Sequence, residues 1–319
     1  MKGKQGLVCM GLLLVLSSCS CHTGKQITAS GLQRKDFQTE VNGQHTDLFT
    51  LSNKQGMEVC ITNYGARVVS ILVPDRNGKR EDVVCGFSTI TEYMEQRQNF
   101  GSTVGRYIGR ILNARFTLDG VEYKLVPNNG KSGHISHGGN PGFADRIWKV
   151  EQADTHRVRL SYLSPDGENG FPGNLKVTLV YSLGEDDNAL DLTYEATTDA
   201  PTVLNLSHHS FFNISGNFTK SVEDQQLWVD ADRFTPYDDK KCVTGEYLPV
   251  AGTPLDFRMP HTIGECIDAD HPQLKVVNGY DHTWELNTKG DDTRPAAWVY
   301  DPASGRKMEI FTTEPGMQI

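Results

Sequence analysis

The sequence predicts an all-β protein, a large antiparallel β-sandwich, and three observations lead there. Apolar side chains recur with a period of two over most of the chain, turn residues separate the alternating runs, and helix signals are few. A strand points successive side chains to opposite faces, so a period of two marks a strand with one face on a core. Thirty-one glycines and fourteen prolines among 319 residues supply the turns that many short strands need.

Met57, Val59 and Ile61 alternate with polar neighbours and read as a strand. Thr89-Ile90-Thr91-Glu92 has the pattern of a capping box, which predicts a short helix near Tyr93 and Met94. Phe116 and Leu118, then Asp119-Gly120, then Val121, Tyr123 and Leu125 predict a hairpin, because Asp-Gly suits a two-residue turn with positive φ. Val158, Leu160 and Tyr162 form another strand, and Asp166-Gly167 a turn. Val177 to Leu183 and Leu190 to Tyr194 flank a turn at Asp187-Asn188. Met308, Ile310 and Thr312 give the last alternating run. The chain shows no internal repeat and no low-complexity tract.

The N-terminus reads as a targeting segment. Lys2 and Lys4 precede an apolar stretch from Leu7 to Leu16, too short to span a membrane, and Ser17-Ser18-Cys19 follows. Leu16-Ser17-Ser18-Cys19 is similar to a bacterial lipobox. The expected organisation is a lipoprotein signal peptide over 1–18, lipidation of Cys19, a polar tether over 19–40, and one β domain over 41–319. The expected location is outside the cytoplasm, anchored by lipid to a bacterial membrane, most simply on its periplasmic side. An ordinary secretory signal is the alternative.

A formal net charge of −9 argues against nucleic acid as a partner, which requires a basic patch. The seven cysteines include no CxxC pair or other metal spacing. Cys60 and Cys85 sit among apolar neighbours and read as buried thiols, while Cys242 and Cys266 are a conceivable but not expected bridge.

Several constellations carry possible chemistry. In Asn205-Leu206-Ser207-His208-His209-Ser210-Phe211-Phe212-Asn213, strand alternation puts Asn205, Ser207, His209 and Phe211 on one face. Leu204, Leu206, His208 and Phe212 share the other. His208 therefore reads as a structural histidine on the apolar face. His209 lies beside an aromatic ring, a pairing suited to a sugar, or is a plain surface histidine. Their opposed directions disfavour a shared metal ion. His137, followed by Gly138-Gly139, sits at the tip of a tight turn. Arg110, in Gly105-Arg106-Tyr107-Ile108-Gly109-Arg110, offers a planar fork for hydroxyls or a carboxylate, with a surface ion pair as the alternative. Gly279-Tyr280-Asp281-His282 and the Thr312 to Gln318 segment complete the set.

Together and in this order, these segments resemble the aldose 1-epimerase family. The resemblance includes Asn63-Tyr64-Gly65-Ala66, Phe116-Thr117-Leu118-Asp119-Gly120, Gly142-Phe143 with Trp148, Phe234-Thr235-Pro236, Thr244-Gly245-Glu246 and Thr253-Pro254-Leu255-Asp256-Phe257-Arg258, besides the constellations above. It covers nearly everything after about residue 50, and implies a galactose mutarotase-like β-sandwich. It also implies a mutarotase that interconverts the anomers of free hexoses such as glucose or galactose, with no metal or organic cofactor. In that reading His209 protonates the ring oxygen and His137 hydrogen-bonds the sugar beside it. Arg110, Asp281 and Gln318 hold hydroxyls, and Phe211 stands where an aromatic is expected.

Three departures bear on activity. Gly109 and His208 stand where the family often carries asparagine. The family's general base is a glutamate a few dozen residues beyond the position of Gln318, whereas this sequence ends at Ile319; Glu314 is no substitute by motif. The expectation is therefore a domain incomplete at its C-terminus, with little mutarotase activity. The alternative function is a sugar-binding lipoprotein without catalysis. A glycoside hydrolase, which needs paired carboxylates, is disfavoured.

Overall fold

A computed structural model describes residues 26–319 of the chain. The apolar stretch from Leu7 to Leu16, the expected signal peptide and Cys19 lie outside the described residues.

The fold is all-β, and its strand ladders are antiparallel. Among the described residues, four four-stranded sheets carry the structure. The first is a meander of Leu48–Ser52, Glu58–Thr62, Arg67–Pro74 and Arg80–Asp82. The second is a meander of Lys149–Ala153, Arg157–Ser164, Leu175–Leu183 and Leu190–Thr198. In the third, Gln226–Val229 lies between His261–Thr262 and Ala297–Tyr300, with Lys307–Ile310 at the edge. In the fourth, Arg233–Thr235 lies between Leu248–Pro249 and Thr283–Glu285, with Gly316–Gln318 at the edge.

A sandwich would have gathered these strands into two sheets. The ladders are interrupted instead by bulges after Cys60 and after Val150, and by isolated bridges such as Tyr64 to Ile147 and Val84 to Phe212. Period-two patterning reports strands and buried faces, but it carries no information about where one ladder stops.

The first two sheets share one apolar core, in which Val59, Ile61 and Val68 meet Leu160, Val177, Leu179 and Tyr181. The third and fourth share another, around Leu227, Val229, Phe234, Trp284 and Leu286. Glu58–Thr62 is buried along its whole length, although its sequence alternates. The cause is the segment read as a tether. Residues 26–40 fold over the outer face of this strand. Thr28 and Phe37 are buried, and the Glu58 carboxylate, itself 2% exposed, accepts hydrogen bonds from the Ala29 and Ser30 N–H groups at 2.6 and 3.2 Å. The domain thus begins earlier than residue 41, and the tether reading does not hold for this stretch. Polar composition suggested a loose segment; polar groups that satisfy a buried strand have the same composition.

The local expectations fare well. The helix spans Ile90–Gln96, with the Thr89 hydroxyl accepting from the Glu92 N–H. The Glu92 carboxylate accepts from the Thr89 hydroxyl and the Ser88 N–H rather than closing the box on the Thr89 backbone. A second helix, Pro272–Val277, had no sequence expectation. In the hairpin, Leu118 pairs with Val121, Asp119 and Gly120 take φ of 49° and 79°, and Phe116 stacks on Tyr123 across the strands. Cys60 is buried, which pushes its thiol up to about 12. Cys85 is only half-buried, and Cys242 and Cys266 are free thiols.

Candidate active site

The strand expected around His209 is short, Ser207–His209, and it pairs antiparallel with Ser102–Val104 so that His209 faces Ser102 in register. Within it the predicted alternation holds. His208 points to the core side, where its ring lies 6.2 Å from that of Tyr181 and its Nε2 sits 2.6 Å from the Ser210 hydroxyl. His209 points the other way, toward His137 and Phe211. Beyond His209 the strand ends, and alternation stops predicting burial. Phe212, expected on the apolar face, is 36% exposed, as is Leu204 at 41% on the other side.

His137 reaches the same place from a different element. It follows the strand Ile135–Ser136, which pairs with Arg110–Ile111, and takes φ of 51° at the start of the Gly138-Gly139 turn. Only glycine fits at 138: φ is 79°, and a Cβ there would lie 1.9 Å from the Gly105 carbonyl oxygen. The turn is also held from outside the site. The Asn169 amide donates to the carbonyls of Gly138 and Pro141, both at 2.9 Å. The two imidazoles of His137 and His209 meet edge to face, with ring centres 5.3 Å apart, and Phe211 lies 5.1 Å from His209.

Burial pushes His137 down to about 4, with His209 and Arg110 adding to the effect. Burial also lowers His209, partly offset by a backbone hydrogen bond and, after it, by the nearby Asp281 carboxylate. The Gly109 N–H donates to His137 Nδ1 at 3.3 Å, so the neutral ring carries its proton on Nε2. The residue that replaces the common family asparagine thus fixes a histidine tautomer through its backbone. His208 is pushed down to about 4 by burial and by His209, and stays a neutral core residue.

The remaining polar groups form a second wall around Asp281, with Arg110 on the strand that pairs with the one leading to His137. Arg110 donates to the Lys241 carbonyl at 2.9 Å. Asp281 accepts from the Gln318 amide at 2.5 Å, a contact set up by the pairing of Thr283–Glu285 with Gly316–Gln318. All six predicted site residues, His137, His209, Phe211, Arg110, Asp281 and Gln318, therefore lie on a small number of neighbouring elements. Arg106, beside Arg110 in the glycine-rich stretch, is not part of the site. It is buried and spends its guanidinium on Ser164 and on the carbonyls of Pro165, Pro172 and Gly173. Sequence reasoning passed over two residues that touch this region, Asn169 and Tyr237, because neither stands in a motif that carries chemistry.

The aldose 1-epimerase family model matches residues 47–319. The chain belongs to the aldose 1-epimerase family. A galactose mutarotase of Sus scrofa is 38% identical over 270 residues, covering 85% of this chain and 75% of that protein. An aldose 1-epimerase of Escherichia coli (strain K12) is 36% identical over 277 residues, covering 87% of this chain and 79% of that one. Among solved structures, an aldose epimerase homologue from C. elegans superposes with a TM-score of 0.78 at 31% identity, covering 86% of this chain and 81% of that chain. A galactose 1-epimerase from Lactobacillus acidophilus NCFM does so at 0.72 and 31%, covering 83% and 76%. The galactose mutarotase-like fold expected from the sequence is thus the fold observed.

Proposed function

We propose that this family member interconverts the α and β anomers of a free aldohexose, such as glucose or galactose, by opening and closing the pyranose ring. One observation carries the reading: two imidazoles, both held below their ordinary range by burial, meet beside an aromatic ring and face a wall of Asp281, Gln318 and Arg110.

In the reaction the anomeric hydroxyl gives its proton to a base and becomes the aldehyde. The bond from the anomeric carbon to the ring oxygen breaks, and that oxygen takes a proton. Rotation about the adjacent carbon–carbon bond and the reverse steps give the other anomer. His209 is the donor to the ring oxygen. A backbone hydrogen bond and Asp281 offset part of the lowering that burial imposes on His209. His137, protonated on Nε2, hydrogen-bonds the sugar beside it. Arg110, Asp281 and Gln318 hold ring hydroxyls, and Phe211, 46% exposed, presents a face to the sugar. The family resemblance implies a glutamate as the base.

Polarimetry of freshly dissolved α-galactose or α-glucose tests the reading, with calorimetry of sugar binding on the same sample. Exchange faster than buffer supports catalysis. Binding without acceleration favours the sugar-binding alternative, and no binding refutes both. The names carried by the relatives favour catalysis.

The same proposal places the protein outside the cytoplasm, tethered to a bacterial membrane by lipid on Cys19. Its support is the lipobox-like Leu16-Ser17-Ser18-Cys19 after a basic start and a short apolar stretch. Radiolabelled palmitate should enter the wild type and not Cys19→Ala; label in both overturns the anchor.

A further inference from the structure

Tyr237 is 9% exposed, and its backbone is clamped on both sides by one side chain. The Tyr237 N–H donates to Gln273 Oε1 at 2.8 Å, and Gln273 Nε2 donates to the Tyr237 carbonyl at 3.0 Å. Its ring packs 5.4 Å from that of His282, the neighbour of Asp281. Tyr237 also pairs with Val243 at the base of a turn. Lys241, in that turn at φ 60°, presents the carbonyl that receives the Arg110 guanidinium.

The phenol is therefore carried on the turn that docks Arg110 and beside the segment that bears Asp281. Burial pushes it up to about 12, Asp281 pushes the same way, and Arg110 pulls it down, which sets the ring within the fields of both groups. It stays a neutral O–H at any working pH. The ring is buried, but the hydroxyl oxygen still reaches solvent and is open to a ligand. Among the described residues, it has no protein hydrogen bond.

We infer that the Tyr237 hydroxyl is a substrate contact, hydrogen-bonding a ring hydroxyl of the aldohexose between Arg110 and Asp281 and so helping to set which hexose the site prefers. The inference rests on the proposed sugar site. A neutral phenol can donate or accept, so it suits a hydroxyl rather than a charged group. A site built to hydrogen-bond a substrate hydroxyl discriminates against a sugar that places that hydroxyl elsewhere, because the buried partner is then left unpaired.

The test compares D-galactose and D-glucose binding to the full chain and to Tyr237→Phe by calorimetry. The ring and its packing are kept, so the melting temperature serves as a control. The preferred hexose should bind about fivefold to tenfold more weakly to Tyr237→Phe, with a smaller loss for the other. Unchanged affinity for both, while the wild type binds, overturns this inference alone. A wild type that binds neither sugar overturns it together with the proposed function. If Tyr237→Phe is poorly folded, tyrosine labelled with 13C at Cζ in the wild type decides. The Tyr237 resonance, assigned by elimination, should shift on saturation with the preferred hexose. A resonance that does not move overturns the contact.

Discussion

The two walls of the site are built differently. The histidine wall is desolvated and fixed by backbone. His209 stands in a strand ladder, and His137 in a turn that only glycine can make, with its tautomer set by the Gly109 N–H. The carboxylate wall is more open and held by side chains. Asp281 is half-buried against an exposed Gln318, and Arg110 rests on a loop carbonyl. A group that moves a proton needs a controlled environment, because burial sets its acidity and a small displacement loses the transfer. Groups that hold hydroxyls can stay wet, since they gain charge-assisted hydrogen bonds when the sugar arrives.

If that division is right, substitutions on the two walls should separate rate from binding. His209→Gln should slow anomer exchange by about 10²- to 10⁴-fold by polarimetry, while sugar affinity by calorimetry changes little. Equal loss in both would erase the contrast. Asp281→Asn should show the reverse emphasis, raising KM by about tenfold to a hundredfold as a charged hydrogen-bond partner is removed. A purely kcat effect there would put Asp281 on the catalytic side.

A finer cut removes support from the histidine wall without touching the sugar. Asn169→Gly keeps the left-handed backbone, φ 51°, but loses both amide bonds to the His137 turn. The rate should drop by about fivefold to thirtyfold, the sum of two ordinary hydrogen bonds. The His137 resonance should titrate above its native value of about 4, toward 6.5. A rate loss with no change in that titration would mean Asn169 acts on stability alone.

The smallest expected effect is acid sensitivity. His137, His208 and His282 are each held at about 4, below the ordinary 6.5, chiefly by burial. The unfolded chain binds protons at these sites before the folded one does, so their contribution is complete above pH 6.5 and is lost as pH falls toward 4. The melting temperature should decline across that window. Imidazole resonances already protonated at pH 5.5 would contradict it.

Much of this was legible in the sequence. Alternation at Val177 to Leu183 and at Phe116 to Leu125 reports strands because a pleated chain exposes one face to a core, and that rule is local. The same rule separated His208 from His209, its immediate neighbour. Order of motifs identified the family and pointed to six candidate site residues. Three things required the tertiary structure. Among the described residues the ladders divide into four four-stranded and four two-stranded sheets because pairing depends on distant partners. Residues 26–40 are folded because the Glu58 carboxyl, buried at the start of a strand, needs their N–H groups. The roles of Gly109, Asn169 and Tyr237 come from where their N–H, amide and phenol groups point. Residue type alone carries no sign of that direction.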